Sequence, residues 1–246
     1  MAVIHHTTLK PTKLEVLTDW LPGQPWFRGE HRSPQLTKAG GFRLDDPQGE
    51  VGIECLVVTD RSGAVPRSYL VPLTYRGAPL DGAEQALVGT TRHGVLGKRW
   101  IYDGAHDPVF AAELLAVFQG RAVPQSQNDS DTRDDSVTRH VEDAAAFGSS
   151  RVVAVVTVAH DARGTELALA TTTAPDAEQA SGAAADRSVP ASGGLGLRLA
   201  RRLEPLAGAG VAADGPGLLG AVTGVWRSGD GAEHRGVFAT LRPSGA

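Results

Sequence analysis

The chain is short of most residues that would announce a chemistry. Cys55 is its one cysteine, which rules out an intrachain disulfide and a thiolate metal cluster. Lysine is almost as scarce: Lys10, Lys13, Lys38 and Lys98 stand against 20 arginines, a bias of the kind GC-rich coding produces. Acidic residues outnumber basic ones, the net charge is −4, and no basic run is present. Nucleic acid is therefore not an expected partner, since that binding rests on Lys and Arg neutralising phosphates. No run approaches the ~20 apolar residues that a membrane helix needs. The start, MAVIHHTTLKPTK, lacks the charged region and apolar stretch of a signal peptide. A soluble, cytoplasmic protein is expected, with no membrane partner. Aromatics make up only 5% of the 246 residues, so a core must be built mostly from Val, Leu and Ala.

Catalytic signatures are missing as well. There is no G-x-S-x-G and no G-x-x-x-x-G-K-[ST], and Cys55 lies in an apolar run where a thiol is usually inert. His5 and His6 are adjacent, so on a strand their side chains point apart, and the other histidines carry no ligand spacing. No cofactor and no metal site is expected.

Against this background several elements are legible. Residues 12–21 (TKLEVLTDWL) predict a helix, with Thr12 and Glu15 at capping-box spacing and Leu14, Leu17 and Leu21 on one face. Pro22 and Gly23 end it. An antiparallel meander follows: GGFRL, the turn DDPQG, EVGIECLVVTD, then RSYLVPLTYRG with Tyr69, Val71, Leu73 and Tyr75 on one face. Pro72 inside that run predicts an edge strand or a bulge. DGAEQALVG suggests a short helix capped by Asp81, and HGVLGKRWIYD a hairpin turning near Gly97–Lys98. DPVFAAELLAVFQG is the clearest helix, with Asp107 as N-cap, Pro108 at the first position, Gly120 as C-cap and Phe110, Leu114, Val117 and Phe118 as its buried stripe.

The expected organisation is an α+β unit over 1–120, a polar linker or mobile loop over 121–149 and a smaller β-rich unit over 150–246. Within the last, SRVVAVVTVAH pairs with TELALATTT, residues 173–194 are a low-complexity, disordered loop, and LLGAVTGVWR and EHRGVFATLR form a hairpin around SGDG.

Two segments could carry function. IYDGAHDP gathers Asp103, His106 and Asp107, either for proton transfer or simply as a strand end, a turn and a helix cap. LTDWLPGQPWFRG places Trp20 and Trp26 six positions apart in a turn-rich stretch, with Phe27 beside them. The rings could stack on sugars, or fill a core otherwise short of bulk. Arg28 and Arg32 are solvated, or stacked on an indole.

WLPGQPWFRG resembles the hallmark W-L-x-x-Q-x-W-[YF]-x-G of the N-terminal cap domain of actinobacterial maltokinases, matched by Trp20, Leu21, Gln24, Trp26, Phe27 and Gly29. The resemblance continues through YLVPLTYRG and HGVLGKRWIYDGAHDPVFAAELLAVF, over roughly residues 3–119. It implies a curved antiparallel sheet with flanking helices, cystatin- or monellin-like. In the family this cap sits on the N-lobe of a kinase that phosphorylates maltose with ATP. Here no lysine follows Lys98, and no H-x-D or D-F-G-like site appears. LGLRLARRLEP is similar to the family's Lys-bearing strand but offers Arg198 at the basic position, so the β-rich unit could resemble only a kinase N-lobe.

The resemblance implies a non-catalytic, cap-like protein, an accessory or regulatory partner of an enzyme of α-glucan, trehalose or maltose metabolism. The alternative is a carbohydrate-binding module for α-glucan or maltose-type sugars. A second alternative is a sugar-kinase-related enzyme of unrecognised type; the missing motifs lean away from an enzyme. The binding residues in either of the first two readings are Trp20, Gln24, Trp26, Phe27, Arg28, Tyr75 and Trp100.

Overall fold

The computed structural model describes residues 9–30, 33–129, 131–173, 193–206 and 217–244. The expected loop at 173–194 falls almost entirely outside them. In chain order the regular elements are β1 (Leu9–Lys10), α1 (Lys13–Trp20), β2 (Leu36–Asp45), β3 (Gly52–Asp60), β4 (Arg67–Arg76), β5 (Leu87–His93), β6 (Gly97–Asp103), α2 (Pro108–Gln119), β7 (Thr138–Val141), β8 (Ser150–His160), β9 (Gly164–Thr173), β10 (Gly193–Ala200), β11 (Gly220–Arg227) and β12 (Glu233–Pro243). The strands form one open antiparallel sheet in the order β1-β5-β6-β4-β3-β2-β11-β12-β10-β9-β8, and β7 pairs with β11 off this path.

Local sequence explains most of these elements. Thr12 and Glu15 form the capping box of α1, and Pro22 lies in a single 3-10 turn that ends the helix. Asp107 caps α2 and Gly120 closes it in the left-handed conformation at φ 74°. The β2–β3 turn is organised by Asp46, whose carboxylate accepts from the amides of Gln48, Glu50 and Val51.

Alternation along β3 covers both faces of the first half of the sheet. Cys55 and Val57 point into a large core with α2, while Leu56 and Val58 point into a second core with α1 and Trp26. Tyr69, Val71 and Leu73 share that second face, with Tyr75 packed against it. The large core also takes residues from β9 to β12, so α2 is enclosed between the two halves. That enclosure is why seven of its residues are buried, more than a one-sided stripe.

The halves meet where Gly40 of β2 pairs with Trp226 of β11. A Cβ on Gly40 would stand 3.0 Å from the Val225 carbonyl and 3.3 Å from the Trp226 Cα, so this close approach requires glycine. Residues within 121–149 also join the sheet: Gln125 exchanges two backbone hydrogen bonds with Arg43, at 2.9 Å each, and β7 extends β11.

Three local readings differ from the structure. Glu84–Ala86 is one 3-10 turn rather than a short helix, because Leu87 already pairs with Tyr102 and commits the chain to β5. The β5–β6 hairpin turns over residues 94–96, held by His93 Nδ1 accepting from the Val95 and Leu96 amides; Gly97, at φ 74°, opens β6. Pro72 lies in an interior strand, yet at a gap in the ladder. Here β4 pairs with β6 from Leu73 onward, and before Pro72 it turns to Arg201, whose carbonyl accepts from the Leu70 amide. Period two aims the Pro72 nitrogen at the same side as Leu70, between the two partners, where no donor is needed.

Candidate functional site

The hallmark segment folds into an aromatic clasp. After α1 the chain turns tightly, with the Gln24 amide donating to Leu21 and the Phe27 amide to Gln24, and this drives the Trp26 ring inward until it is 0% exposed. Trp26 lies between Trp20 and Tyr69, each with ring centroids 5.9 Å away, and Phe27 packs 5.3 Å from Tyr69. The Tyr69 hydroxyl accepts from the Arg28 amide, which fixes the exit of the turn.

Beneath the clasp lies a buried charge. The guanidinium of Arg201 is 5.1 Å from the centre of the Trp26 ring. Its Nη2 donates to both carboxylate oxygens of Asp103, at 2.6 Å each, and its Nε to Thr165 of β9 at 2.8 Å. Arg201 is 0% exposed and Asp103 2%. One side chain thus ties the end of β6, strand β9 and the hallmark tryptophan together. The Arg201 Nη1 and Trp26 Nε1 atoms make no hydrogen bond among the described residues, which leaves ring–cation attraction as the interaction between these two side chains.

The seven sequence-predicted binding residues are distributed unevenly around this centre. Trp26 and Phe27 are buried; Trp20 and Gln24 are half-buried at the end of α1; Arg28 is exposed. Gln24 donates weakly to the Trp20 carbonyl at 3.4 Å. Tyr75 lies on the same face, with its hydroxyl donating to Glu54 and Lys13 lying 5.6 Å over its ring. Trp100 packs with Ala83, Ala86 and Tyr102 instead, under Lys98 at 4.6 Å. Its neighbour Ile101 belongs to the clasp face, so alternation places Trp100 on the opposite side of β6.

The IYDGAHDP residues are held by arginines. Asp107 caps α2 and accepts two 2.7 Å bonds from Arg76, while Asp103 is engaged by Arg201. Between these carboxylates His106 projects to within 5.8 Å of His160, whose Nδ1 bonds to Thr165. Burial lowers the pKa of both histidines; Arg201 adds to the depression, and Asp103 opposes it. His106 lowers His160 further, whereas Asp161 raises it. A depressed folded-state pKa means that the unfolded chain binds the proton more tightly, so stability is complete above the ordinary value of 6.5 and falls as pH drops below it. We therefore expect the melting temperature to decline from pH 7.5 to 5.5. In a His106→Gln/His160→Gln variant the slope should be shallower; an unchanged slope would assign the titration elsewhere.

Glu54 is a polar hub that the sequence reading passed over. Although only 5% exposed, it accepts from Lys13 at 2.6 Å, Tyr75 at 2.9 Å and Gln127 at 3.0 Å. Burial first, and then Glu54, pushes the Cys55 thiol pKa well up, so the thiol stays protonated. GPGLLG (215–220) has the G-x-G-x-x-G spacing, but its last glycine opens strand β11 where the dinucleotide fingerprint requires a helix. Among the described residues no group of three or more His, Cys, Asp or Glu could hold a metal, and no helix is long and apolar enough to cross a membrane.

Residues 20–107, from the first hallmark tryptophan to the cap of α2, match the family model of the maltokinase N-terminal cap domain. No curated protein matches the chain.

Proposed function

We propose, from the cap-domain match over residues 20–107, that this chain is a non-catalytic cap-like protein acting as an accessory or regulatory partner of an enzyme of maltose, trehalose or α-glucan metabolism. Residues 1–120 are the cap-like α+β unit of cystatin or monellin type. Residues 150–246 are the β-rich unit that braces it, akin to a kinase N-lobe, and 121–149 connect them. The observation that carries this reading is the matched segment itself, whose central ring, Trp26, is buried against Arg201 rather than displayed for chemistry. A surface for a partner is at hand on β8. This strand ends the sheet among the described residues and exposes Val153 and Val156, each 62%. An unpaired edge with exposed valines favours association.

Affinity capture of the tagged full chain from native lysate, read by mass spectrometry, should enrich a maltose- or α-glucan-processing enzyme. Val156→Lys should lose that enrichment at an unchanged melting temperature. Capture of no carbohydrate enzyme above background would contradict the reading. Carbohydrate binding is the second reading, favoured by the half-buried rings of Trp20 and Tyr75, which pack against one core. Tryptophan fluorescence titrated with maltose, trehalose and soluble glycogen tests it, and a flat response to all three would exclude it.

A further inference from the structure

Beside the clasp, the cap segment and the C-terminal strands enclose a groove of about 390 Å³. Its charged lining comes from three separate places in the chain: Arg28 from the hallmark turn, Arg67 at the start of β4, and Arg202 with Glu204 after β10. Pro66, Leu203 and Pro205 supply an apolar wall, and His234 completes the rim.

Backbone carbonyls position two of the three guanidinium groups, and a carboxylate positions the third. Arg28 Nη1 donates to the carbonyls of Pro25 and Phe27, at 2.7 and 2.8 Å. Arg67 Nη1 donates to the Arg28 carbonyl at 2.9 Å and lies 3.5 Å from Glu30. Arg202 Nη2 donates to Glu204 at 3.0 Å. Each arginine thus spends one guanidinium nitrogen on the protein and leaves the rest of its donor fork without a hydrogen bond among the described residues. Three guanidinium charges against Glu204 in the lining and Glu30 beside Arg67 leave one net positive charge at the groove.

We infer that this groove binds the phosphate group of a small phosphate monoester, with the body of the molecule against Pro66, Leu203 and Pro205. A phosphate monoester carries about −1.5 to −2 charges at neutral pH, opposite in sign to the groove, and its oxygens accept from planar guanidinium forks. The groove volume falls within the ~300–1,000 Å³ range of small-molecule pockets, more than a bare phosphate fills. The site is independent of the partner interaction proposed above, and of the buried Arg201–Asp103 pair.

Isothermal titration of the full chain with glucose 6-phosphate, inorganic phosphate and glucose tests the inference. Glucose 6-phosphate should bind, more tightly than inorganic phosphate and less tightly as salt is added; glucose should not bind. Arg202→Gln should weaken glucose 6-phosphate at least about tenfold, the effect of one lost charge-assisted hydrogen bond, at an unchanged melting temperature. If that variant melts lower, Arg67→Gln gives the same comparison. The inference is overturned if no heat is seen with glucose 6-phosphate, if glucose or inorganic phosphate binds as well, or if neither variant weakens binding.

Discussion

Arg201→Met should destabilise the chain by about 3–5 kcal/mol, because it leaves the Asp103 carboxylate buried without its counter-charge. At roughly 2–4 °C per kcal/mol for a chain of this size, the melting temperature should drop by about 6–20 °C. The loss is that of a broken pair rather than of a missing attraction. Two hydrogen bonds to Asp103 and one to Thr165 go together, and the ring contact with Trp26 goes with them. Neutralising both partners, as in Arg201→Met/Asp103→Leu, should recover much of the loss, since an apolar pair needs no compensation. Asp103→Asn should behave like the single Arg201 variant, because it strands the opposite charge. Thermal melts by circular dichroism check all three. A drop under about 2 °C for Arg201→Met would show that the pair does not hold the fold.

The second large effect is at the ring above that charge. Trp26→Ala removes the largest fully buried side chain from between Trp20, Tyr69 and Arg201, and a cost of about 3–5 kcal/mol is expected for such a truncation. Trp26→Phe should cost far less. It retains an aromatic face toward Tyr69 and Arg201, and it deletes an indole N–H that makes no hydrogen bond among the described residues. Trp100→Ala provides the contrast: its ring is half-buried on the opposite face of β6, so a loss of about 1 kcal/mol is expected. Urea unfolding of the three variants gives the ordering. Equal losses at Trp26 and Trp100 would contradict the central place of the hallmark.

Much of this arrangement is written locally. The capping box at Thr12, the Asp107-Pro108 start and Gly120 stop of α2, and the shared face of Tyr69, Val71, Leu73 and Tyr75 are contained within a few residues each. The packing role of Trp26 follows from the helix stop at Pro22 and a chain poor in other large rings. What escaped were contacts closed over long distances. Gly40 meets Trp226 across most of the chain, and nothing near either residue names the other. Leu87 left the helix expected around it because its partner is Tyr102 of β6. Arg201 is the instructive case. In LGLRLARRLEP the family resemblance singles out Arg198 alone, yet Leu195, Leu197, Leu199 and Leu203 are all buried at period two, and Arg201 occupies an inward position of that row. The alternation thus marked it for the interior; its counter-ion, contributed by the end of β6, was beyond any local pattern.

The central claim is that the hallmark tryptophan clasps the cap segment to the C-terminal strands through Arg201. A double-mutant cycle between Trp26→Leu and Arg201→Met, read by urea unfolding of the full chain, tests it most directly. The clasp predicts a coupling of about 1–2 kcal/mol, the size of a desolvated ring–cation contact. Losses that simply add, within about 0.5 kcal/mol, would contradict it.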